Sequence, residues 1–198
     1  MSTFNSRKMK LPLLLFFIWY VSSSYAQRIA MIDIEGHRDS FIERFETKLG
    51  FQRIEDENKH AVLRGQLNGE SADLIVYETP LTHRVYKVEV RFDAFKKWKK
   101  AKAYFFNKET SLKKKYGEPA VVIEFFEKPY CDGGGNEFEA IIKGKGKYYR
   151  DWGDMPYIQN LFLQYWIGGD QHVYLSFTLK DELMKFEEEQ KLTENSLF

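Results

Sequence analysis

The chain has almost no cysteine, because Cys131 is the single one among its 198 residues. One cysteine forms no disulfide within its own chain, so the core must stabilise the fold without covalent links. Histidine is also scarce, and no two histidines have the i, i+2 or i, i+4 spacing of zinc ligands. These absences predict a protein without a structural metal site and without a cofactor.

A long hydrophobic run is also missing. The apolar run at residues 11–21 has 11 residues, whereas a membrane-spanning helix needs about 20. Arg7, Lys8 and Lys10 precede this run, and small residues ending at Ala26 follow it. That layout is typical of a secretory signal peptide. Residues 1–26 are therefore predicted to be removed, and the mature chain is predicted to be exported, periplasmic or secreted, with no membrane span.

An excess of charge of one sign is missing as well. Without residues 1–26, the chain holds 27 Lys and Arg against 29 Asp and Glu, which gives a formal charge of −2. Nucleic-acid binding needs clustered positive charge, so this balance argues against a nucleic-acid partner. Five lysines between residues 96 and 102 are the local exception. Helical spacing places them opposite an apolar stripe, which is typical of a solvated helix face.

Alternation of apolar and polar residues is frequent. Between residues 83 and 92, Val88 and Val90 alternate with Lys87 and Glu89, which predicts a strand of an antiparallel sheet with one buried face. Asn68-Gly69 favours a type I′ hairpin turn, because both residues accept a positive φ. Similar patterns predict strands at residues 51–55, 61–67, 72–78, 120–126, 138–142, 158–167 and 172–179.

One helix is predicted before the strand at residues 51–55, and another is predicted between the strands at residues 83–92 and 120–126. The later one lies within residues 95–119, where apolar residues follow helical spacing and Gly117 stands at the C-terminal cap. The earlier one fits a capping box of Ser40 and Glu43 and ends at Gly50. A short closing helix is predicted after Asp181, followed by a frayed tail at residues 191–198.

The two halves therefore have the same predicted layout, a helix and then about four antiparallel strands. We interpret residues 27–94 and 95–190 as tandem units of one repeat; coincidence is the alternative, since helix-glycine-strand junctions are common. Either reading predicts an α+β fold with helices packed on one face of the antiparallel strands.

Two segments carry a resemblance to known proteins. Residues 61–65 read Ala-Val-Leu-Arg-Gly, and the later helix begins near Trp98 and ends in Lys-Tyr-Gly-Glu-Pro at residues 115–119. This pattern resembles a group of small exported proteins of Bacteroidetes over most of the mature chain. That group has no assigned activity, so the resemblance implies no site residues. In layout the chain is also similar to the secreted β-lactamase inhibitor protein and to small envelope proteins that assist outer-membrane assembly, a likeness that implies no function.

Catalytic signatures are weak. Cys131 and His172 are a candidate nucleophile and base, but the sequence around the cysteine has no nucleophile turn. The glycine-rich loop at residues 132–136 lacks the ending of a phosphate loop and has too few oxygen ligands for calcium. Paired carboxylates have no sequence signature, because their spacing is spatial. No catalytic residue is assigned, and a small envelope hydrolase with paired carboxylates stays the alternative.

The densest aromatic group lies between residues 148 and 166. Exposed Trp and Tyr are common anchors of binding surfaces, and one face of the strand at 158–167 must point away from the helices. The predicted binding residues are Tyr148, Tyr149, Trp152, Tyr157 and Trp166. Burial of these rings in the core is the competing interpretation.

The sequence thus predicts an exported, cofactor-free binding protein that recognises a protein or glycan of the cell envelope through an open sheet face. A further hypothesis is assembly of copies of the chain through an exposed sheet edge.

Overall fold

The computed structural model describes residues 28–29, 32–57, 59–154 and 161–195. The predicted signal peptide lies outside these residues. In chain order the elements are β1 (Arg28–Ile29), β2 (Ile32–Asp33), α1 (Arg38–Leu49), β3 (Gln52–Glu57), β4 (His60–Leu67), β5 (Glu70–Glu78), β6 (Val85–Phe92), α2 (Trp98–Tyr116), β7 (Val121–Phe126), α3 (Glu137–Ile142), β8 (Gly146–Asp154), β9 (Leu161–Ile167), β10 (Val173–Leu179) and α4 (Lys180–Asn195). None of these helices is both long and apolar enough to cross a membrane.

Eight strands form one antiparallel sheet in the order β3-β4-β5-β6-β10-β9-β8-β7. The strands β3 to β6 form one meander and β7 to β10 form another. The meanders meet where β6 pairs with β10 and Val88 lies opposite Phe177. The predicted α+β class with an antiparallel sheet is confirmed. The repeat relationship between residues 27–94 and 95–190 stays a prediction.

The core lies between one face of this sheet and the helices α1 and α2. Phe41 and Phe45 of α1 and Phe105 of α2 are fully buried there. Complete burial of such a side chain stabilises the fold by about 1.5–3 kcal/mol. Alternate strand positions fill the sheet side of the core, among them Leu63, Val76, Val88, Leu163 and Phe177.

The opposite face of the sheet, which we call the open face, is covered by α4 at one end. Phe186 of α4 stacks on Tyr86 with ring centroids 4.5 Å apart, and Lys180 lies over the ring of Phe162. Glu189 accepts hydrogen bonds from the backbone N–H groups of two residues before β6, at 2.7 and 3.1 Å. The expectation that helices share one face therefore holds for α1 and α2 but not for α4. This closing helix is also longer than predicted and extends through the first part of the expected frayed tail.

Several turns and caps match the sequence. Asn68 and Gly69 have φ of 53° and 81° at the hairpin between β4 and β5, and Gly50 ends α1 in the left-handed region. Gly65, the glycine of the Ala-Val-Leu-Arg-Gly segment, lies under the ring of Phe51, where an added Cβ would come within 2.6 Å of ring atoms. That close approach is the physical reason for a glycine inside β4.

Three local predictions are wrong. The capping box is not used, because α1 begins at Arg38 and Ser40 lies inside its first turn. The strand predicted at residues 51–55 extends further, since β3 continues through Asp56, whose carboxylate pairs with two arginines, and ends at Glu57. The apolar alternation at residues 138–142 belongs to the helix α3, where Glu137 accepts a hydrogen bond from the backbone N–H of Gly133 at 2.7 Å.

Candidate binding groove on the open sheet face

The open face carries the alternate residues of the strands that do not point into the core. In its β8–β9–β10 region, Tyr149 lies opposite Trp166, and Trp166 lies opposite Tyr174. All three rings are half-buried. The strand register therefore sets three aromatic side chains in a row across this face, as expected for direct cross-strand neighbours.

A groove of about 610 Å³ crosses this part of the open face. Gln164 and Trp166 lie on its floor with Tyr149, while Phe125 of the neighbouring edge strand borders it. Residues after α3 and the turn at 168–169 form the remaining wall. The turn needs glycine at 169, because a Cβ there would come within 2.4 Å of the Ile142 side chain.

Contacts within the protein hold the groove aromatics in place. Trp166 stacks on Tyr174 with ring centroids 5.1 Å apart and ring planes within 5°. The Tyr149 hydroxyl donates to Asp151 at 2.8 Å, and the Gln164 amide donates to the same carboxylate at 3.2 Å. Burial raises the pKa of Tyr149, and the bond to Asp151 raises it further, so the phenol stays neutral across the ordinary pH range.

Polar groups line the side of the groove nearest the sheet centre. Glu89 accepts a hydrogen bond from the Tyr77 hydroxyl at 3.2 Å and lies 2.5 Å from the Lys87 ammonium nitrogen. Ser176 sits between Glu89 and Gln164 in the strand register. Its side chain is 1% exposed, and its hydroxyl has no hydrogen-bond partner among the described residues. A buried unpaired hydroxyl costs roughly 1–3 kcal/mol, and this one lies beside the groove without lining it.

The five predicted binding residues do not lie together. Tyr149 and Trp166 lie on the open face, and Tyr157 lies outside the described residues. Tyr148 and Trp152 are 5% and 4% exposed and point into the core. Tyr148 packs on Trp98 with centroids 4.9 Å apart, and the Trp152 indole N–H donates to the Gly117 carbonyl at 2.8 Å. Because β8 alternates, the neighbours of an outward residue point inward, so Trp152 leaves the proposed binding set, whereas Tyr148, although buried, still contributes to the lining of the groove.

Sequence reasoning missed Gln164 and Glu89 as parts of the groove and Ser176 between them in the sheet. Alternation along β9 and β10 places Gln164 and Ser176 on the same face as Trp166, and that signal was present in the sequence. The pairing of β6 with β10 brings in Glu89, and no local pattern indicates that pairing.

Arg150 fixes the orientation of β8 from the core side. Its guanidinium is buried, and Nε and Nη2 donate to the Glu109 carboxylate of α2 at 2.7 and 3.0 Å. Nη2 also donates to Glu124 of β7, and Nη1 donates to the Tyr149 carbonyl at 3.0 Å. Burial acts to raise the pKa of Glu109, but the hydrogen bonds from Arg150 outweigh it and hold this pKa below its usual value.

The other sequence candidates do not line the groove. His172 pairs with Asp170 at 3.1 Å, and Cys131 is exposed in the loop before α3. Asp132 in the glycine-rich loop accepts a hydrogen bond from the Trp98 indole at 2.7 Å and another from Lys102. The bond from Lys102 lowers the pKa of Asp132. This carboxylate therefore ties the loop to the first turns of α2.

Titratable side chains gather elsewhere in a second cavity of about 460 Å³ beside the start of α1. Arg38 lines it and lies 3.1 Å from Asp56 and 3.4 Å from Glu78. His83 is 3.1 Å from the other oxygen of Glu78. The positive guanidinium thus offsets part of the negative charge that these carboxylates bring together.

One exposed cluster has metal-ligand chemistry. Glu55, Glu57 and His60, on β3 and at the start of β4, place one ligand atom each within 4.8 Å of the others. Two carboxylates and one imidazole could hold a divalent cation. The His60 ring already contacts Glu55 at 3.2 Å, and Glu57 of this cluster also lines the cavity around Arg38.

No protein-family model, curated protein or solved structure matches this chain. The resemblance to small exported proteins of Bacteroidetes stays a prediction, and the functional argument depends on the geometry described above.

Replacing Arg150 with Met is expected to destabilise the fold by about 3 kcal/mol, because it leaves the buried Glu109 carboxylate without its main partner. Urea unfolding monitored by circular dichroism measures this loss. Arg53→Met, which removes an exposed ion pair with Asp56, is the control and should cost less than about 1 kcal/mol.

The destabilisation caused by Arg150→Met is expected to depend on pH. The folded pKa of Glu109 lies below its ordinary value of 4.5, so the ion pair stabilises fully at neutral pH and is lost as the pH falls through that folded pKa. The difference in unfolding free energy between wild type and Arg150→Met should therefore be largest near pH 7 and should shrink in acid. An equal difference at all pH values would contradict the assigned role of the pair.

Of the three tryptophans that the structure describes, Trp166 should be the one that a collisional quencher reaches, because Trp98 and Trp152 are buried. Iodide quenching of the mature chain is expected to show one accessible component, which Trp166→Phe removes. Trp152→Phe is the matched control and should leave that component intact. Strong quenching that persists in Trp166→Phe would show that the groove ring is not the exposed one.

Proposed function

We propose that the mature chain is an exported cell-envelope protein, without a cofactor, that binds a protein or glycan on the open sheet face. The observation that carries this proposal is the groove of about 610 Å³ in which Tyr149 and Trp166 stand beside polar side chains. A volume of this size lies within the range of about 300–1,000 Å³ that is usual for ligand sites in proteins.

The chemistry of the groove supports recognition of an amphipathic ligand. The rings of Tyr149 and Trp166 offer apolar surface for a sugar ring or an apolar side chain, while Gln164, Glu89 and Lys87 offer donors and acceptors. Both rings are already held by neighbours, Trp166 by stacking and Tyr149 by its bond to Asp151. Binding would therefore order few side chains, so the side-chain part of the entropic cost of association would be small.

The predicted signal peptide supports the choice of partner class. A chain that leaves the cytosol meets envelope proteins and glycans, and its near-neutral formal charge does not favour a polyanionic partner.

A pull-down from envelope extract tests the proposal. The mature chain is expected to retain a specific protein or glycan, and Tyr149→Ala with Trp166→Ala should abolish retention because it removes both rings of the groove. The matched control replaces Phe95 and Tyr116, two half-buried aromatics that pack on the core instead of lining the groove, with alanine. Retention of the same species by the groove variant, or no specific species with the wild type, would contradict the proposal.

A small hydrolase remains the second candidate, and the cavity around Arg38 is the observation that favours it. Asp56, Glu78 and His83 converge there and could supply acid and base groups. A panel of chromogenic glycosides, esters and phosphates tests this candidate. Turnover that Glu78→Gln abolishes would support it, and no turnover of any substrate would remove it.

A further inference from the structure

The two edges of the sheet have opposite character. At one edge, every residue of β3 is exposed, the strand carries three acidic residues, and its pairing with β4 has an irregularity between Arg53 and Glu55. At the other edge, β7 reads Val-Val-Ile-Glu-Phe-Phe, and Val121 and Val122 are 43% and 56% exposed. Charges and bulges protect a sheet edge from pairing, and short apolar strands invite it. The β7 edge has little such protection.

The backbone of β7 shows which groups face outward. Just beyond the strand, the N–H of Glu127 donates to the Lys145 carbonyl at 2.8 Å, so the backbone of residue 127 faces β8. Antiparallel ladders alternate, so residues 121, 123 and 125 also face β8. The N–H and C=O groups of Val122, Glu124 and Phe126 consequently point away from the sheet. Among the described residues, β8 is the strand that pairs with β7.

We infer that two copies of this chain pair antiparallel through β7, about a twofold axis at Ile123, so that their two sheets become one. The partner is a second copy because the edge is complementary to itself in this register. Val122 of one copy then lies opposite Glu124 of the other. The outward-facing backbone N–H group of each of these residues donates a hydrogen bond to the backbone carbonyl of the other.

Neighbouring registers are less favourable. The outward-facing N–H and C=O groups of the two copies lie opposite each other only when the twofold axis passes through a residue. Near the centre of the strand, this leaves an axis at residue 122, 123 or 124. An axis at Glu124 sets two carboxylates directly opposite each other, which is destabilising. An axis at Val122 shortens the paired segment to residues 121–123. The axis at Ile123 pairs residues 121–125 and brings Glu118 of one copy towards Lys128 of the other.

This pairing also joins apolar side chains. Cross-strand neighbours share a face, so Val121 of each copy meets Phe125 of the other on the open face, with the two Ile123 side chains between them. Val121 and Phe125 are among the exposed large hydrophobic residues of the chain. The contact is small for a protein interface, so the dimer is expected to be weak and to depend on concentration.

Sedimentation equilibrium of the mature chain from about 1 µM to about 1 mM tests the assembly. A reversible monomer–dimer equilibrium is expected, and Ile123→Lys should raise the dimer dissociation constant at least about tenfold, since it sets two ammonium groups opposite each other. Ile54→Lys, at the exposed β3 edge, is the matched control and should leave the constant unchanged. A monomer at all concentrations, or a dimer unaffected by Ile123→Lys, would overturn the inference.

Disulfide trapping tests the register. In a Cys131→Ser background, Ile123→Cys should form a covalent dimer under mild oxidation, because a non-hydrogen-bonded pair places its Cα atoms about 4.5 Å apart, within the range of disulfides. Val122→Cys and Glu124→Cys should cross-link much more slowly. Preferential cross-linking of either one would move the axis to that residue and overturn the proposed register.

Discussion

The buried ion pair between Arg150 and Glu109 is the contact on which the second half of the structure depends. A guanidinium removed from water is tolerated only with close, directional partners, and the two-pronged bond to Glu109 supplies them. Because Arg150 must point towards α2, its neighbours Tyr149 and Asp151 must point the other way. The geometry of the open face is thus set by a contact in the core, through the alternation of a single strand.

The same pair joins α2 to the two strands β7 and β8 beside the groove. Arg150 reaches α2 through Glu109, β7 through Glu124 and its own strand through the Tyr149 carbonyl. At the other end of α2, Asp132 holds the Trp98 indole and fixes the loop that leads into α3. The helix is therefore tied to β7 and to the loop before α3, which lie next to the groove, and these contacts support the proposal that the site is preorganised.

Much of the fold could be predicted, because the dominant signals were local. The alternation of β6 and β9 and the turn at Asn68-Gly69 depend on residues close in sequence. The errors arose where distant contacts decide. Residues 138–142 form a helix because Glu137 binds the Gly133 N–H and Ala140 is buried against Gly146. Half of the site could be predicted. Strand alternation indicates Trp166, whereas the sequence predicts no strand at residues 146–154 and so does not separate Tyr148 and Trp152 from Tyr149.

The groove and the β7 edge meet at one residue. The side chain of Phe125 borders the groove, and Phe125 belongs to the edge strand β7, in which alternate residues direct their backbone groups away from the sheet. A strand added at β7 would pack against Phe125 and extend the apolar floor of the groove beyond the edge of the sheet. If a ligand bound there contacted this extended surface, ligand binding and strand pairing would strengthen each other by the same factor, as linkage requires. The proposed binding site and the inferred dimer edge therefore belong to one continuous surface, and a change at Phe125 should alter both.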